Sequence, residues 1–320
     1  MNKNVQLVLS LISNGFTIDE VVNDLNIDHK EMVAILKTIR DLGYNYQKQF
    51  NDDGTIIIKS TRKLNLNPKE HVKINIKDST FRTLFISDTH IGGPLERPER
   101  LKVISDYAIS HDIHTVFNTG DVINNYYPDQ EPNTKVKDPV EQARRYLRYL
   151  PYQPRLIYFN LGGNHDYKGL VDNGFDSLRY YEERRLDQIS LGYGQAFVHL
   201  KNDTIALAHE IKNTTKEVTA TIVFRGHSHK FRNRDAKIIH VPAVTDNYQG
   251  PYEYLPLPGF LDVEFIFFDN KIMKINLKQL IFQEEDLRMS TEETMVLRPD
   301  YEERYKQKQL KKEKPNKNTP

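Results

Sequence analysis

Five short segments between residues 88 and 229 contain histidine and carboxylate side chains of the types that bind metal ions. They are Asp88-Thr89-His90, Gly120-Asp121, Gly162-Gly163-Asn164-His165-Asp166, His209 and Gly226-His227-Ser228-His229. Each segment lies next to glycine or at the end of an apolar run. Such a run is typical of a buried strand that delivers a ligand at its tip. One segment would mean little, but five in this order predict a centre for two metal ions.

The residue types suit this chemistry. Two divalent ions about 3.5–4 Å apart need a carboxylate between them, because it offers two oxygens and a charge that offsets their repulsion. Imidazole and carboxylate ligands suit manganese, iron or zinc, whereas calcium and magnesium sites are normally all-oxygen. We expect Asp88 and His90 to share one side of an extended chain, since residues i and i+2 share a face. Gly120 and Gly226 are expected to allow sharp turns after strands.

From 81 to about 246 these motifs resemble the calcineurin-like metallophosphoesterase superfamily. The pattern of that family is Asp-x-His, Gly-Asp, Gly-Asn-His-Asp/Glu, a lone His and Gly-His-x-His. The resemblance implies two divalent ions, Mn²⁺ in the first place with Fe or Zn as alternatives. It also implies phosphodiester hydrolysis by attack of a metal-bridging hydroxide. The implied ligands are Asp88, His90 and His229 for one ion, Asp121 as the bridge, and Asn164, His209 and His227 for the other.

The resemblance assigns separate roles to two further residues. His165 is expected to face the substrate and to donate a proton to the leaving group as the general acid. Asp166 is expected to orient His165 through its ring nitrogen.

The lone histidine of the family pattern has two candidates in this chain, His209 and His199. We prefer His209, because the small and apolar strand predicted at 204–208 leads straight to it. His199 lies inside a predicted strand and reads as structural. The family often has glycine after this histidine, whereas Glu210 follows it here. Glu210 either narrows the mouth of the site or replaces a backbone contact.

The elements that must position these residues alternate between strand and helix from Phe81 onward, which predicts an α/β class. The resemblance implies a metallophosphoesterase β-sandwich flanked by helices in four layers, αββα. We assign 81–283 to this catalytic domain, 63–80 to a linker and an edge strand, and 284–320 to a charged, disordered tail. The strands predicted to end at ligands are 84–87, 115–118, 155–160, 204–208 and 221–224.

Residues 1–62 form a separate unit in the sequence. Three short helices are predicted there, the second capped by Thr17 with Glu20 and the third capped by Asp28. A hairpin follows, so the segment resembles a winged helix-turn-helix domain, and the whole chain resembles phage or prokaryotic DNA-metabolism proteins. Residues 1–60 hold six Lys/Arg against eight Asp/Glu, which is poor for binding phosphates. A domain that packs on the catalytic body, dimerises or binds a protein partner is the alternative.

Bulk composition excludes several classes. The 320 residues carry a net charge of +1, so affinity for nucleic acid must come from local patches. The absence of cysteine excludes disulfides, thiolate ligands and a cysteine nucleophile. No window reaches the length of a membrane span, and the apolar run at 5–12 is too short and interrupted for a signal peptide. We therefore expect a cytoplasmic protein without a membrane partner.

Three functions are consistent with these patterns. The first is a nuclease-like phosphodiesterase that acts on nucleic acid and is brought to DNA by the amino-terminal unit. The second is a phosphoesterase for a small nucleotide or a phosphoprotein, and the third is a scaffold without activity. Two groups of cations favour the first function, because they could bind the flanking phosphates of a polyanionic substrate. One group surrounds the last motif and consists of Arg225, Lys230, Arg232, Arg234 and Lys237. The other group consists of Arg144, Arg145, Arg148 and Arg155.

Overall fold

A computed structural model describes residues 3–61, 71–127, 133–210, 220–235, 237–246, 257–283 and 286–313. The helices in these ranges are α1 (Lys3–Ile12), α2 (Ile18–Leu25), α3 (His29–Asp41), α4 (Arg100–Ser110), α5 (Pro139–Tyr149), α6 (Asn164–Asn173), α7 (Ser177–Glu182) and α8 (Pro299–Glu313). The strands are β1 (Phe16–Thr17), β2 (Tyr46–Asn51), β3 (Ile56–Ser60), β4 (His71–Asn75), β5 (Thr80–Ile86), β6 (Thr115–Asn118), β7 (Ile157–Gly162), β8 (Gln188–Tyr193), β9 (Gln195–Leu200), β10 (Asp203–Ala208), β11 (Ile222–Arg225), β12 (Arg232–Asp235), β13 (Ile238–His240), β14 (Gly259–Phe268), β15 (Lys271–Gln283) and β16 (Asp286–Val296).

The strands form two mixed sheets. One has the order β16-β15-β14-β5-β6-β7-β8, and the other has the order β1-β3-β2-β4-β9-β10-β11-β13-β12. In the first sheet β5, β6, β7 and β8 run parallel, and in the second β10, β11 and β13 run parallel. The predicted α/β class is confirmed. Because the carboxyl ends of parallel strands meet at one edge, the residues that follow them are brought together.

The two sheets pack face to face through aromatic side chains. Phe85 of β5 stacks on Phe224 of β11 with ring centroids 3.7 Å apart. On the outer face of the seven-stranded sheet, α4, α5 and α7 bury Leu101, Tyr146 and Tyr181. On the nine-stranded sheet, α1 and α2 contact β3, and α2 also contacts β1. The four-layer arrangement stays a prediction. None of the described helices is long and apolar enough to cross a membrane.

The amino-terminal unit has the predicted helices and hairpin. Thr17 caps α2 in a capping box with Glu20, and the Asp28 side chain accepts a hydrogen bond from the Glu31 N–H at the start of α3. The elements follow the order α1, β1, α2, α3, β2 and β3. Its assignment as a winged helix-turn-helix domain stays a prediction.

The strands of this unit belong to the nine-stranded sheet. β2 pairs in parallel with β4, where Phe50 lies opposite Ile74, and β4 pairs in turn with β9. The prediction of β4 as an edge strand was therefore wrong, because the hairpin covers its open side. The Phe50 ring also packs edge-on against Phe159 of β7, with centroids 5.0 Å apart. The two units share one apolar core.

The contact lies at the amino ends of β7 and β8. Gly54 packs so closely on Arg155 that a Cβ at this glycine would lie 1.9 Å from the Arg155 carbonyl oxygen. Lys48 Nζ lies 3.8 Å from the Glu182 carboxylate, and the Tyr152 hydroxyl lies 2.7 Å from His29 Nε2. The predicted ligands follow the opposite, carboxyl ends of the strands. Six strand residues separate the two ends by about 20 Å.

The carboxyl-terminal prediction was wrong for residues 286–313. β16 pairs with β15 along its length, and the α8 residues Tyr301 and Tyr305 pack their rings 5.8 Å from Phe268. An exposed strand held by backbone hydrogen bonds needs few apolar side chains, so its composition resembles that of a disordered tail. Residues 314–320 and the linker segment 62–70 lie outside the described residues.

We predict that Phe50→Ala lowers the stability of the catalytic domain, not only that of the amino-terminal unit. Phe50 is buried against Phe159, and removal of such a ring costs about 3 kcal/mol. The melting temperature should therefore fall by several degrees in one shared transition, measured by calorimetry. Tyr44→Ala, at a position that is 50% exposed, is the control and should leave the curve unchanged. An unchanged melting temperature for residues 81–283 would contradict the shared core.

Candidate metal centre

The structure brings all nine predicted site residues to one end of the two sheets. The loop after β5 carries Asp88 and His90, and the loop after β6 carries Asp121. α6 follows β7 almost directly and carries Asn164, His165 and Asp166 in its first turn. His209 follows β10, and His227 and His229 follow β11. A cleft of about 140 Å³ opens onto this cluster, and its lining includes His90, Asp121, His165, His227 and His229.

Asp88, His90 and His229 form the first group of donor atoms. One ligand atom of each lies within 4.8 Å of the others. His229 Nε2 is 3.2 Å from Asp88 Oδ1 and 3.3 Å from His90 Nε2. A single cation can therefore contact all three, as the sequence predicts.

Asp121, His209 and His227 form the second group, within the same 4.8 Å limit. His209 Nε2 lies 2.9 Å from Asp121 Oδ2 and 3.1 Å from Asn164 Oδ1. Asp121 Oδ2 also lies 3.8 Å from His90 Nε2 of the first group. Asp121 thus stands between the two groups, which is where a bridging carboxylate is needed.

The hydrogen bonds of Asp88 provide a test of whether these residues fit a cation. Its Oδ2 accepts hydrogen bonds from Ser87 Oγ at 2.5 Å and from the His227 N–H at 3.0 Å. Its Oδ1 is buried and accepts no hydrogen bond from the described residues. A buried carboxylate oxygen without a donor is costly, and a metal ion satisfies it. The site therefore fits a divalent cation.

A backbone carbonyl oxygen and a side-chain amide oxygen orient two of the predicted ligand histidines. His209 Nδ1 lies 2.9 Å from the Thr119 carbonyl oxygen, and His90 Nδ1 lies 3.0 Å from Asn124 Oδ1. These acceptors place the hydrogen on Nδ1 and leave Nε2 for a metal ion. The rival His199 lies away from the cluster, where its ring pairs with His71 at 3.1 Å. The structure thus places His209, not His199, among the predicted ligands.

Five of the predicted ligands have a left-handed backbone. Their φ angles are 52° for Asp88, 42° for His90, 53° for Asp121, 64° for His227 and 55° for His229. Such a conformation is unfavourable for residues with a side chain and is concentrated at functional sites. The extended geometry predicted for Asp88 and His90 was wrong, because β5 ends before them at Ile86 and a strained loop aims both side chains inward.

Two glycines allow the close approach of these loops. Gly120 has a φ of +121°, and a Cβ there would lie 2.2 Å from His209 Nδ1. A Cβ at Gly163 would lie 2.1 Å from Asp121 Oδ1. Both positions therefore require glycine, the first for its turn and both for space.

The predicted contact between Asp166 and the ring of His165 was wrong. The Asp166 carboxylate accepts hydrogen bonds from the N–H groups of Gly163, Val122 and Ile123 at 3.0–3.1 Å. Neighbouring helix residues point about 100° apart, so Asp166 faces back over the amino end of α6 while His165 faces the cleft. Asp166 therefore ties α6 to the loop that follows Asp121.

His165 is instead held by the loop after β6. Its Nδ1 lies 2.5 Å from the Asn124 carbonyl oxygen, and its backbone N–H donates to Asp121 Oδ1 at 2.9 Å. Because a carbonyl only accepts, Nδ1 carries the hydrogen. Nε2 is then the atom at which His165 takes up or gives away a proton.

Burial and charge determine the ionisation of the cluster. Burial opposes ionisation of Asp88, but the facing His229, His90 and His209 rings hold its pKa well below the usual range. The pKa of Asp121 is lowered to about 2, since His209 outweighs the effect of burial. Burial would lower the pKa of His209, but Asp121 raises it to about 9. Burial and the charge of Asp121 raise the pKa of Asp166 to about 6. Asp88 and Asp121 are therefore charged at neutral pH and require a positive partner.

Comparison with known proteins agrees with the geometry of this centre. Residues 81–231 match the family model of calcineurin-like phosphoesterases. All nine site residues lie within that match. As a class, these domains are hydrolases that use divalent metal ions.

Other comparisons add little to the family match. A solved structure described as Pseudomonas putida nuclease MPE is similar to the chain with 15% identity and a TM-score of 0.33. The similarity covers 68% of this chain and 96% of that one. A likeness at this level carries no argument about activity. No curated protein matched the sequence.

Sequence reasoning missed Ser87, Asn124 and the carbonyl of Thr119, which position Asp88, His90 and His209. The sequence could have indicated Ser87, because it is a polar residue between an apolar strand and a predicted ligand. It could not have indicated Asn124, since the position of Asn124 beside His90 depends on how two loops cross.

We predict that Ser87→Ala weakens metal binding about tenfold without unfolding the protein, because it removes a hydrogen bond that orients Asp88. Calorimetric titration of the metal-free protein with Mn²⁺ measures the affinity. Ser110→Ala, on the exposed end of α4, should bind as the wild type does. Equal affinity for Ser87→Ala and the wild type would show that this hydroxyl does not position Asp88.

Proposed function

We propose that this protein is a metal-dependent phosphodiesterase that hydrolyses nucleic acid. The observation that carries the proposal is the pair of donor groups that meet at Asp121, with His165 beside them in the same cleft. Asp121 belongs to the second group and lies 3.8 Å from His90 of the first, so one carboxylate stands beside both groups, which suits two divalent ions. Phosphoryl transfer is the reaction for which such a pair supplies charge stabilisation on both sides of phosphorus.

The ligands would be the seven side chains predicted from the sequence, with Asp121 shared between the groups. Bound divalent ions would supply Lewis acidity toward the phosphoryl oxygens and an activated water molecule. Mixed imidazole and carboxylate donors favour Mn²⁺, with Fe or Zn as alternatives. The ligand set is Asp88, His90, His229, Asp121, Asn164, His209 and His227.

His165 would act as the general acid. Its Nδ1 is occupied by the Asn124 carbonyl oxygen, so Nε2 gives its proton to the departing oxygen of the substrate. The His90 ring lies 4.6 Å away at an angle of 86°. A donor atom of His165 also lies within 4.8 Å of donor atoms of His90 and Asp121, so the proposed proton donor stands directly beside the proposed ligands.

Cations at this end of the molecule support a polyanionic substrate. Lys230 is exposed next to His229. Arg97 and Arg100 both pair with the single carboxylate of Asp246, which lines the cleft, so this trio keeps one positive charge there. The arginines of the predicted patch on α5 are paired as well. Arg144 and Arg148 pair with Glu141, and Arg145 pairs with Glu96. Arg155 lies at the opposite end of the strands.

The second candidate is hydrolysis of a small nucleotide or a phosphoprotein, with the amino-terminal unit as a packing module. One observation favours the role of packing module. The unit contacts the catalytic domain about 20 Å from the centre, and Lys48 of its hairpin faces Glu182 of α7. A DNA reader would instead leave such cations to phosphates. We therefore propose that residues 1–61 stabilise the catalytic sheet.

The activity test compares single-stranded DNA with bis-p-nitrophenyl phosphate in the presence of Mn²⁺. We expect the wild type to cleave both and Asp121→Ala to cleave neither. His165→Ala should lose about 10²–10⁴-fold on DNA, because an alkoxide leaves poorly without a proton. It should lose much less on the aryl ester, whose leaving group is a weak base. His111→Ala, at the exposed histidine that follows α4, is the control.

Other results would redirect the assignment. Cleavage of mononucleotides or cyclic dinucleotides without cleavage of DNA would favour the second candidate. A wild-type protein that is inert with Mn²⁺, Fe²⁺ and Zn²⁺ would contradict both enzymatic functions. The scaffold without activity would then be the remaining function.

A further inference from the structure

Two tyrosines near the proposed proton donor are not among the predicted ligands, and one of them lies beside His165. Tyr126 and Tyr127 end the described part of the loop after β6, and both are half-buried. The Tyr127 ring lies 4.6 Å from the His165 ring, at an angle of 56°. His90 lies on another side of His165 at the same distance. His165 is therefore placed between the metal ligands and an aromatic ring.

Each tyrosine ring has a lysine ammonium over it. Lys168 Nζ lies 4.9 Å from the centre of the Tyr127 ring, and Lys137 Nζ lies 4.7 Å from that of Tyr126. Lys168 follows His165 by three residues on α6, so both side chains lie on the same face of the helix. Asp172, one turn further on, pairs with Lys168 and limits its movement.

The loop that carries the tyrosines is firmly held. The Asn125 N–H donates to Gln142 Oε1 at 2.7 Å, and Gln142 is fully buried. Asn125 Oδ1 accepts from the Tyr126 N–H at 2.8 Å, and Asn125 Nδ2 donates to the His165 carbonyl oxygen at 3.4 Å. Tyr126 and Tyr127 are thus fixed relative to the proposed proton donor.

We propose that Tyr127 forms a subsite for the leaving nucleoside of the substrate, with its ring stacking on the base of that nucleoside. The proposal rests on the phosphodiesterase function above. In the hydrolysis, the oxygen of water forms a bond to phosphorus and gives up one proton to the solvent, while the bond between phosphorus and the leaving oxygen breaks. The leaving oxygen takes its proton from His165 Nε2, and His165 regains a proton from the solvent after the step. The group that receives the proton must lie next to His165, and Tyr127 is the ring that lies there.

This arrangement selects a class of substrate. An aromatic ring stacks on any base without reading its sequence. The subsite therefore suits a nucleotide whose base is unpaired. An alkyl or sugar phosphate would gain nothing from the ring.

The test uses thymidine dinucleotide and two analogues in which the base is absent from one side or the other. The variants are Tyr127→Ala, Tyr127→Phe and, as control, Tyr167→Ala, at a position on α6 that is 52% exposed. We expect Tyr127→Ala to lose about tenfold or more in kcat/KM on the full dinucleotide. It should lose nothing on the analogue that lacks the leaving base. Tyr127→Phe and Tyr167→Ala should match the wild type on all three.

The remaining outcomes count against the subsite. An equal loss on all three substrates would mean that Tyr127 only supports His165, and no loss on any would mean that it contacts no base. Either result overturns this inference while leaving the phosphodiesterase activity in place. A wild type that cleaves neither the dinucleotides nor bis-p-nitrophenyl phosphate would overturn the proposed function, and the subsite with it.

Discussion

The structure depends on two buried carboxylates, Asp88 and Asp121, which stay charged because imidazoles and a hydrogen-bonded loop surround them. Placing two negative charges in the interior is unfavourable unless cations compensate them. Ser87 and the His227 N–H satisfy one oxygen of Asp88 and leave the other facing the ligand histidines. The left-handed backbone at five ligands is a further cost that bound metal ions would offset.

The fold brings these groups together by delivering them from two sheets at one edge. Parallel strands β5, β6 and β7 supply three of the loops, and parallel strands β10 and β11 supply the other two. Asp166 joins two of the loops, since its carboxylate accepts from the backbone on both sides. The amino-terminal unit adds its strands beside β4 and contacts the amino ends of β7 and β8. The carboxyl ends of the strands, where the cleft lies, are left open.

The sequence predicted which side chains lie together at the centre, because each predicted ligand is of a chemically demanding type and follows an apolar strand. The predicted strand ends at Asn118 and Ala208 agree with the structure. Contacts that depend on direction were not predictable in this way. Asp166 follows His165 directly in sequence, yet helix geometry turns it away from that ring and onto backbone donors. β16 and α8 were likewise not predictable from composition. Backbone hydrogen bonds to β15 stabilise β16, and two tyrosines that pack on Phe268 anchor α8.

The central claim is that Asp121 is shared by two metal ions, and metal stoichiometry tests it most directly. The protein is loaded with Mn²⁺, freed of excess metal by gel filtration and analysed by mass spectrometry for metal per chain. The account predicts about two ions in the wild type, about one in His229→Ala and nearly none in Asp121→Ala. One ion in the wild type, or two retained by Asp121→Ala, would contradict a shared carboxylate between two metals.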